Sequence, residues 1–223
     1  MCSIARSCRA SNVPPRNPAI LAAVLRHHGR RSAGSTLVRV FTHTFTGADI
    51  ATPPTPADTG QAMSQIDVGT VATFSRTAGK LTLAVVPANY SVFLADTGKA
   101  DARSRVKPIN GSSGLAFRIV DNANFWMLEA FNFTVGPNLV SLNLNRRLAA
   151  VNTTPGTALG TPFNLGDEII ALHVGSSIKV YTTQSGNTPL ISIVDGSLAT
   201  ATKFGALSGG SATLQLDDLI QDA

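Results

Sequence analysis

The chain has 223 residues and a formal net charge of +5, and that charge is distributed unevenly. Residues 1–35 hold six arginines and no acid, whereas the rest of the chain holds twelve bases and thirteen acids. The nearly neutral body argues against a nucleic-acid-binding domain as the main function. The longest apolar run, Ala19–Leu25, is too short for a bilayer span, which takes about 20 residues. We therefore expect a basic N-terminal arm and one domain over residues 36–223.

The arm, residues 1–35, shows no strand pattern. An asparagine N-cap followed by proline, with Gly29 as a stop, predicts a short helix over residues 18–28 in an otherwise disordered segment. The Arg- and Ser-rich, acid-free composition resembles an organellar transit peptide, and a stretch translated from an upstream start codon is the alternative. Both cysteines, Cys2 and Cys8, lie here, and their spacing fits no common zinc site.

From Val38 onward, apolar residues alternate with polar ones, and turn residues recur every eight to twelve positions. This pattern is typical of an antiparallel β-sandwich. The predicted strands cover residues 38–45, 80–86, 90–95, 101–107, 114–120, 124–131, 138–144, 146–151, 168–174, 178–183, 190–194, 203–207 and 212–221.

Two stretches carry a family resemblance. The segment Gly114–Leu128, with its Phe-Arg, Asp and Asn positions, resembles a hairpin of laminin-G-like, concanavalin A-like jelly rolls. The hairpin Ile170–Tyr181 and the closing stretch Leu216–Ile220 are similar to the later hairpin and final strand of the same family. Asp58–Gln61 resembles an early element, although Met63 stands where that pattern often has tryptophan.

The resemblance implies an all-β, two-sheet antiparallel jelly-roll sandwich whose first and last strands are adjacent. Such domains bind glycans or proteins, some are glycoside hydrolases, and small versions occur in bacteriophage virions as minor tail or surface proteins. We predict a non-enzymatic structural or adhesion component of a phage particle, located in the virion. Its expected partners are a cell-surface glycan or a neighbouring virion protein, with homo-oligomerisation also possible, no nucleic acid through the body and no membrane span. The alternatives are a bacterial carbohydrate-binding module, in the cytoplasm or at the cell surface, and a glycoside hydrolase relative.

The sequence predicts no catalytic residues. The hydrolases of this fold carry E-x-D-x-x-E on one strand, since a retaining glycosidase needs two carboxylates about 5–5.5 Å apart. That motif is absent, and the only glutamates, Glu129 and Glu168, lie on different predicted strands. A Ser-His-Asp site would need His43 or His173, and neither is near a G-x-S-x-G turn.

A structural calcium ion is the one cofactor that the sequence leaves open. The fold often carries an edge site built from Asp and Asn oxygens, and Asp121 to Asn124 can supply such oxygens. The same residues suit a tight hairpin turn, which we favour. We therefore expect no metal ligands and no cofactor.

Two side chains of the first motif are candidate ligand contacts. Trp126, the only tryptophan, can stack on a sugar ring, although a single large aromatic residue is more often part of the core. Alternation places Arg118 opposite Leu115, Phe117 and Ile119, where it either holds a ligand or forms an ion pair with a nearby carboxylate. The nearby carboxylates are Asp121 and Glu129.

The turn of the second motif sets the faces of its hairpin. A two-residue turn at Gly175 and Ser176 mixes apolar and polar residues on both faces. A three-residue loop, Gly175–Ser177, pairs Val174 with Ile178 and gives one apolar face, as a half-buried hairpin requires. We therefore predict the longer loop.

This register predicts the principal ligand patch. It places His173, Lys179 and Tyr181 on one face beside the small Ala171, so that the tyrosine ring is exposed and the other two side chains can donate hydrogen bonds. We predict that these three residues contact the ligand, with Trp126 and Arg118 as further candidates.

Overall fold

The computed structural model describes most of the chain beyond Thr36, and these residues belong to one compact unit of residues 37–223. The basic arm and the helix predicted over residues 18–28 lie outside the described residues and stay predictions. The described ranges are 37–51, 55–110, 113–134, 138–209 and 215–223.

Fifteen strands and a single 3-10 turn, Thr183–Ser185, occur in the described ranges. The strands are β1 (Arg39–His43), β2 (Met63–Val68), β3 (Thr73–Thr77), β4 (Lys80–Val85), β5 (Tyr90–Asp96), β6 (Ala102–Asn110), β7 (Ser113–Asp121), β8 (Asn124–Thr134), β9 (Leu139–Leu148), β10 (Val151–Pro162), β11 (Ile169–Val174), β12 (Ser177–Thr182), β13 (Ile191–Val194), β14 (Lys203–Ser208) and β15 (Gln215–Asp222).

The strands form two antiparallel sheets, as a jelly-roll sandwich requires. The eight-stranded sheet has the order β13-β12-β11-β6-β15-β4-β3, with β1 paired to β15. The seven-stranded sheet has the order β10-β9-β8-β7-β14-β5-β2. The first and last strands are therefore adjacent, and the predicted two-sheet antiparallel fold is confirmed.

Alternation along the strands fills the space between the sheets. On β8, Trp126 and Leu128 point into the main core, whereas Phe125 and Met127 point to the other face of the sheet. The main core also takes inward residues of the eight-stranded sheet, such as Val180. The strands that line the core thus have one face inside it, which is the basis of the predicted alternation.

The outer face of the seven-stranded sheet carries a second apolar cluster. Val92, Leu94, Phe125 and Met127 are almost completely buried there, together with Ala116, Ile119 and Leu207. The half-buried side chains of Ile66, Val68 and Tyr90 pack against them. The seven-stranded sheet is therefore apolar on both faces where its neighbouring strands β5, β14, β7 and β8 run.

The sequence pattern missed three strands and divided another. β2, β3 and β10 were not predicted, and the segments predicted at 138–144 and 146–151 are one strand, β9, followed by a turn. β10 is an edge strand that contains Pro155 and Gly156 and is almost entirely exposed, so it lacks apolar alternation. Within the described ranges, no helix is long and apolar enough to cross a membrane.

Candidate functional site

The hairpin of β11 and β12 has a different register from the predicted one. Val174 pairs with Ser177 and Ile170 with Tyr181, so the turn has two residues and the predicted three-residue loop is wrong. Gly175 has a φ of 53°, which suits the first central position of a type II′ turn, where glycine is preferred. The register is set by the conformational preference of the turn residues. It is not set by the segregation of apolar residues onto one face.

The corrected register separates the predicted patch. Ala171 and His173 point into the sandwich with Ile178, whereas Lys179 and Tyr181 lie on the outer face of the eight-stranded sheet. The prediction that His173 shares a face with Lys179 and Tyr181 is therefore wrong. Both faces of the hairpin are partly apolar, because Ile170 and Leu172 accompany Lys179 and Tyr181 on the outside.

His173 is a buried structural residue with both ring nitrogens engaged. Its Nδ1 lies 2.8 Å from the carbonyl oxygen of Ala100, so it donates there, and its Nε2 lies 3.2 Å from Ser104 Oγ and accepts. The ring stacks on Phe117 at 4.9 Å. Burial, and then the charge of Arg118, lowers the pKa of His173 to about 4, so the ring is neutral at physiological pH.

Trp126 lies in the core and not at a surface. Its side chain is fully buried, and its indole Nε1 donates to the carbonyl oxygen of Ser197 at 3.2 Å. The guanidinium of Arg146 lies over the indole ring, 5.9 Å from its centroid, and forms a cation–π contact. Trp126 is therefore not placed to stack on a ligand.

Arg118 is also buried, because a β-bulge breaks the alternation that placed it outside. Phe117 pairs with Phe204 and Ile119 with Lys203, so Arg118 is the extra residue, with a φ of 51°. Its Nη2 donates to the carbonyl oxygen of Gly175 at 2.6 Å. The predicted ion pairs are absent, and burial lowers the pKa of this guanidinium.

Tyr181 and Lys179 are half-buried on the outer face of the eight-stranded sheet, and Tyr181 lines a groove there. The groove has a volume of about 270 Å³, close to the lower end of the range for small-molecule sites, about 300–1,000 Å³. We call it the Tyr181 groove. Its lining residues are Leu37, Arg103, Ile170, Leu172, Tyr181, Gly186 and Asn187.

A fixed loop after β12 forms one wall of the Tyr181 groove. Thr182 and Ser185 form reciprocal side-chain to backbone hydrogen bonds across the 3-10 turn, which close a capping box. Thr183 Oγ1 accepts from the backbone N–H of Glu168 at 2.8 Å and ties the turn to the preceding loop. Gly186 follows with φ 57° and ψ −120°, a conformation that only glycine adopts easily, and this bend positions Asn187.

Charged side chains surround the groove on the same face. Arg105 contacts Glu168 at 3.0 Å and Asp222 at 3.5 Å, and Arg39 also contacts Asp222, at 2.9 Å. Glu168 and Asp222 therefore both form salt bridges with arginines, Arg105 and Arg39. Within the described part of the chain, Arg103 has no salt bridge and no side-chain hydrogen bond.

The glutamates do not form a catalytic pair. Glu129 lies on β8 of the seven-stranded sheet, and Glu168 directly precedes β11 of the other sheet. Burial raises the pKa of Glu129, while a hydrogen bond from Asn145 acts in the opposite direction. His43 is buried on β1 with Nδ1 3.6 Å from Asp58, and His173 is engaged as described above.

In the predicted turn between β7 and β8, the side-chain oxygens of Asp121 and Asn124 accept hydrogen bonds from nearby protein groups. Asp121 pairs with Asn124 across a two-residue turn, and Asp121 Oδ1 accepts from the backbone N–H of Ala123 at 2.8 Å and from Asn124 Nδ2 at 2.9 Å. Asn124 Oδ1 accepts from the backbone N–H of Ala149 at 3.0 Å. In the described ranges, no group of three His, Cys, Asp or Glu side chains is arranged to hold a metal ion.

Comparison with known proteins identifies the fold. No protein-family model matches the sequence, and no curated protein matches it either. Among solved structures, the carbohydrate-binding module CBM66 from Bacillus subtilis aligns with a TM-score of 0.51 at 13% identity, over 72% of this chain and 95% of that one. The exoplasmic/lumenal domain of VIP36 in its Ca2+/Man2-bound form aligns with a TM-score of 0.51 at 11% identity, over 83% of this chain and 88% of that one.

A third similar structure comes from a phage. The CBM2 module of the evolved Dit protein of Lactobacillus casei BL23 phage J-1 has a TM-score of 0.50 at 7% identity, and the alignment covers 83% of this chain and 95% of that one. At these identities the similarity shows the fold alone, a two-sheet jelly-roll sandwich.

Proposed function

We propose that this protein is a glycan-binding module that contacts its ligand in the Tyr181 groove. The observation that carries the proposal is the position of an accessible tyrosine ring beside two polar donors, Arg103 and Asn187, over an apolar floor of Ile170 and Leu172. A sugar ring has an apolar face that packs on an aromatic ring, and hydroxyl groups at its rim that form hydrogen bonds.

The similar structures support this choice of ligand class. The Bacillus subtilis protein is named as a carbohydrate-binding module, and the VIP36 domain was solved with bound mannose residues. Both share a fold with this chain at low identity. The ligand class is therefore suggested by the fold and by the chemistry of the groove together.

We propose further that the protein binds without catalysis. Glu129 and Glu168 belong to different sheets, and neither histidine of the body is accessible. Glu129→Gln and Glu168→Gln should each leave polysaccharide turnover at the background level of the unaltered protein. Hydrolysis that one of these changes abolishes would contradict the proposal and favour a glycoside hydrolase relative.

A role in a phage particle is the second candidate, favoured by the similarity to the phage J-1 Dit module. In that case the Tyr181 groove would bind a glycan on the bacterial surface, while other surfaces contact virion proteins or further copies of the chain. Co-purification of the protein with particles would support this role. A free monomer that binds saccharide would favour the bacterial module.

Tyr181→Ala tests the glycan site directly. We expect it to abolish binding to any saccharide that the unaltered protein retains on a glycan panel, because the stacking surface is lost, and to leave the fold intact. Tyr90→Ala is the matched control, since Tyr90 is the only other tyrosine and packs on the opposite sheet. It should lower stability and keep the affinity. Equal affinity in the unaltered protein and Tyr181→Ala would place the ligand elsewhere.

A further inference from the structure

The outer face of the eight-stranded sheet carries more positive than negative charge at the Tyr181 groove. Arg103, on β6, and Lys179, on β12, both lie opposite Leu172 of β11, one on each side. Neither has a salt bridge or a side-chain hydrogen bond within the described part of the chain. The two cations therefore flank an apolar side chain that forms part of the groove floor.

The nearby carboxylates are already engaged. Asp222 pairs with Arg103 across the strands, but its side chain contacts Arg39 and Arg105 instead. Glu168 contacts the same Arg105 through two hydrogen bonds, at 3.0 and 3.2 Å. Asp101, two residues before Arg103, accepts from the backbone N–H of Gly175 at 2.7 Å. Within the described ranges, no acid forms a salt bridge with Arg103 or Lys179.

The spacing of the two cations suits one shared anion. Adjacent strands lie about 4.8 Å apart, so β6 and β12 are roughly 10 Å apart across β11. Side chains as long as those of arginine and lysine span half of that distance, so both can reach a group above Leu172. Guanidinium binds carboxylate, sulfate and phosphate oxygens in a two-pronged geometry, and lysine adds a point charge.

We propose that the Tyr181 groove binds an acidic saccharide, with the anionic group held between Arg103 and Lys179 and the sugar ring against Tyr181. This inference rests on the proposed glycan function and adds the ligand's charge to it. A neutral sugar would use the ring and the hydrogen-bond donors of Asn187 and Arg103. An acidic one would also use the charges of Arg103 and Lys179, which form no salt bridge within the described ranges.

The test is calorimetric titration of the full chain with saccharides that differ in charge alone. The first pair is tetragalacturonate and its fully methyl-esterified form. Galactose 6-sulfate and mannose 6-phosphate, which carry no carboxylate, identify whether carboxylate, sulfate or phosphate is the preferred anion. We expect binding of at least one acidic probe, none or at least about tenfold weaker binding of the ester, and an affinity that falls as salt is raised.

Two variants and one control locate the charge effect. Arg103→Gln and Lys179→Gln should each weaken binding of the acidic probe about tenfold or more. Lys203→Gln removes the same charge from the other sheet and should not change the affinity.

The outcomes distinguish this inference from the proposed function. If tetragalacturonate and its ester bind equally, or neutral glycans alone bind, the acidic ligand is wrong and the glycan function stands. If no saccharide on an acidic and neutral panel binds, both are wrong. Acidic binding that survives Arg103→Gln and Lys179→Gln together would also overturn the inference.

Discussion

The outer faces of the two sheets differ in what their side chains do. On the seven-stranded sheet, Phe125, Met127 and Val92 form an apolar cluster that is almost fully buried. On the eight-stranded sheet, the corresponding face carries salt bridges and the open Tyr181 groove. One outer face is apolar and buried, and the other is more polar and contains a groove. Both sheets contribute alternating apolar residues to the core between them.

The largest expected effect tests the structural face. Phe125→Ala should lower the free energy of unfolding by about 3–5 kcal/mol, because it removes a fully buried aromatic side chain from the outer cluster. Urea unfolding measures the loss. Tyr181→Ala on the other sheet is the comparison and should cost about 1 kcal/mol or less. Equal losses in the two variants would mean that the two faces do not differ in this way.

A second prediction separates the two sides of the β11–β12 hairpin. Histidine in the unfolded chain binds a proton below a pKa near 6.5, whereas buried His173 does so only near 4. The unfolded state therefore binds more protons between these values, and stability falls as the pH drops through that window, by up to about 3 kcal/mol. Above pH 6.5 this contribution is fully present.

His173→Gln is the variant that isolates this contribution. Urea unfolding of the two proteins at several values between pH 4 and 7.5 should give a shallower decline for the variant, since the titrating ring is gone. Lys179→Gln, on the outer side of the same hairpin, should follow the unaltered protein. Parallel curves for the unaltered protein and His173→Gln would contradict a buried, neutral histidine.

The smallest expected effect concerns Glu129, the acid on the outer face of the seven-stranded sheet. Burial raises its pKa, so the folded protein holds that proton to higher pH than the unfolded chain does, and stability falls as the pH rises through this window. Glu129→Gln keeps an acceptor for Asn145 and removes the buried charge. We expect a gain of about 1 kcal/mol or less at pH 8 and less at pH 4.5. A clear loss of stability at pH 8 would show that the ionised carboxylate is needed.

Much of the fold followed from alternation, and the failures have separate physical causes. The strand predicted over residues 124–131 is β8, and alternation along it places Trp126 inward and Phe125 outward. β2 was missed, because Met63, Gln65 and Asp67 share a face and give no apolar repeat. β10 was missed because an exposed edge strand has no face to bury.

The candidate site was harder to predict than the fold. Alternation cannot detect a β-bulge, and the bulge turned Arg118 inward. The hairpin register depended on Gly175, whose preference for the first position of a type II′ turn was the available signal. Arg103 and Asn187 were not predicted as groove residues, because they come from β6 and from a loop and only the sheet order brings them to Tyr181.

The pairing of the first and last strands has a mechanical consequence. Val38 and Ala223 exchange two backbone hydrogen bonds of 2.9 Å, at the end of the β1–β15 ladder. A force that pulls these two residues apart acts on the hydrogen-bonded pairs of the ladder one after another. β1 would therefore separate from β15 sequentially, starting at this end. β15 pairs with β1, β4 and β6, whereas β15 is the one described strand that pairs with β1. On the other edge of β1, the backbone N–H of Thr42 donates to Thr59 Oγ1 at 3.1 Å and Gln61 Nε2 donates to the carbonyl oxygen of Val40 at 3.0 Å. If the domain were attached to a surface through β15, it would therefore resist a greater pulling force than if it were attached through β1.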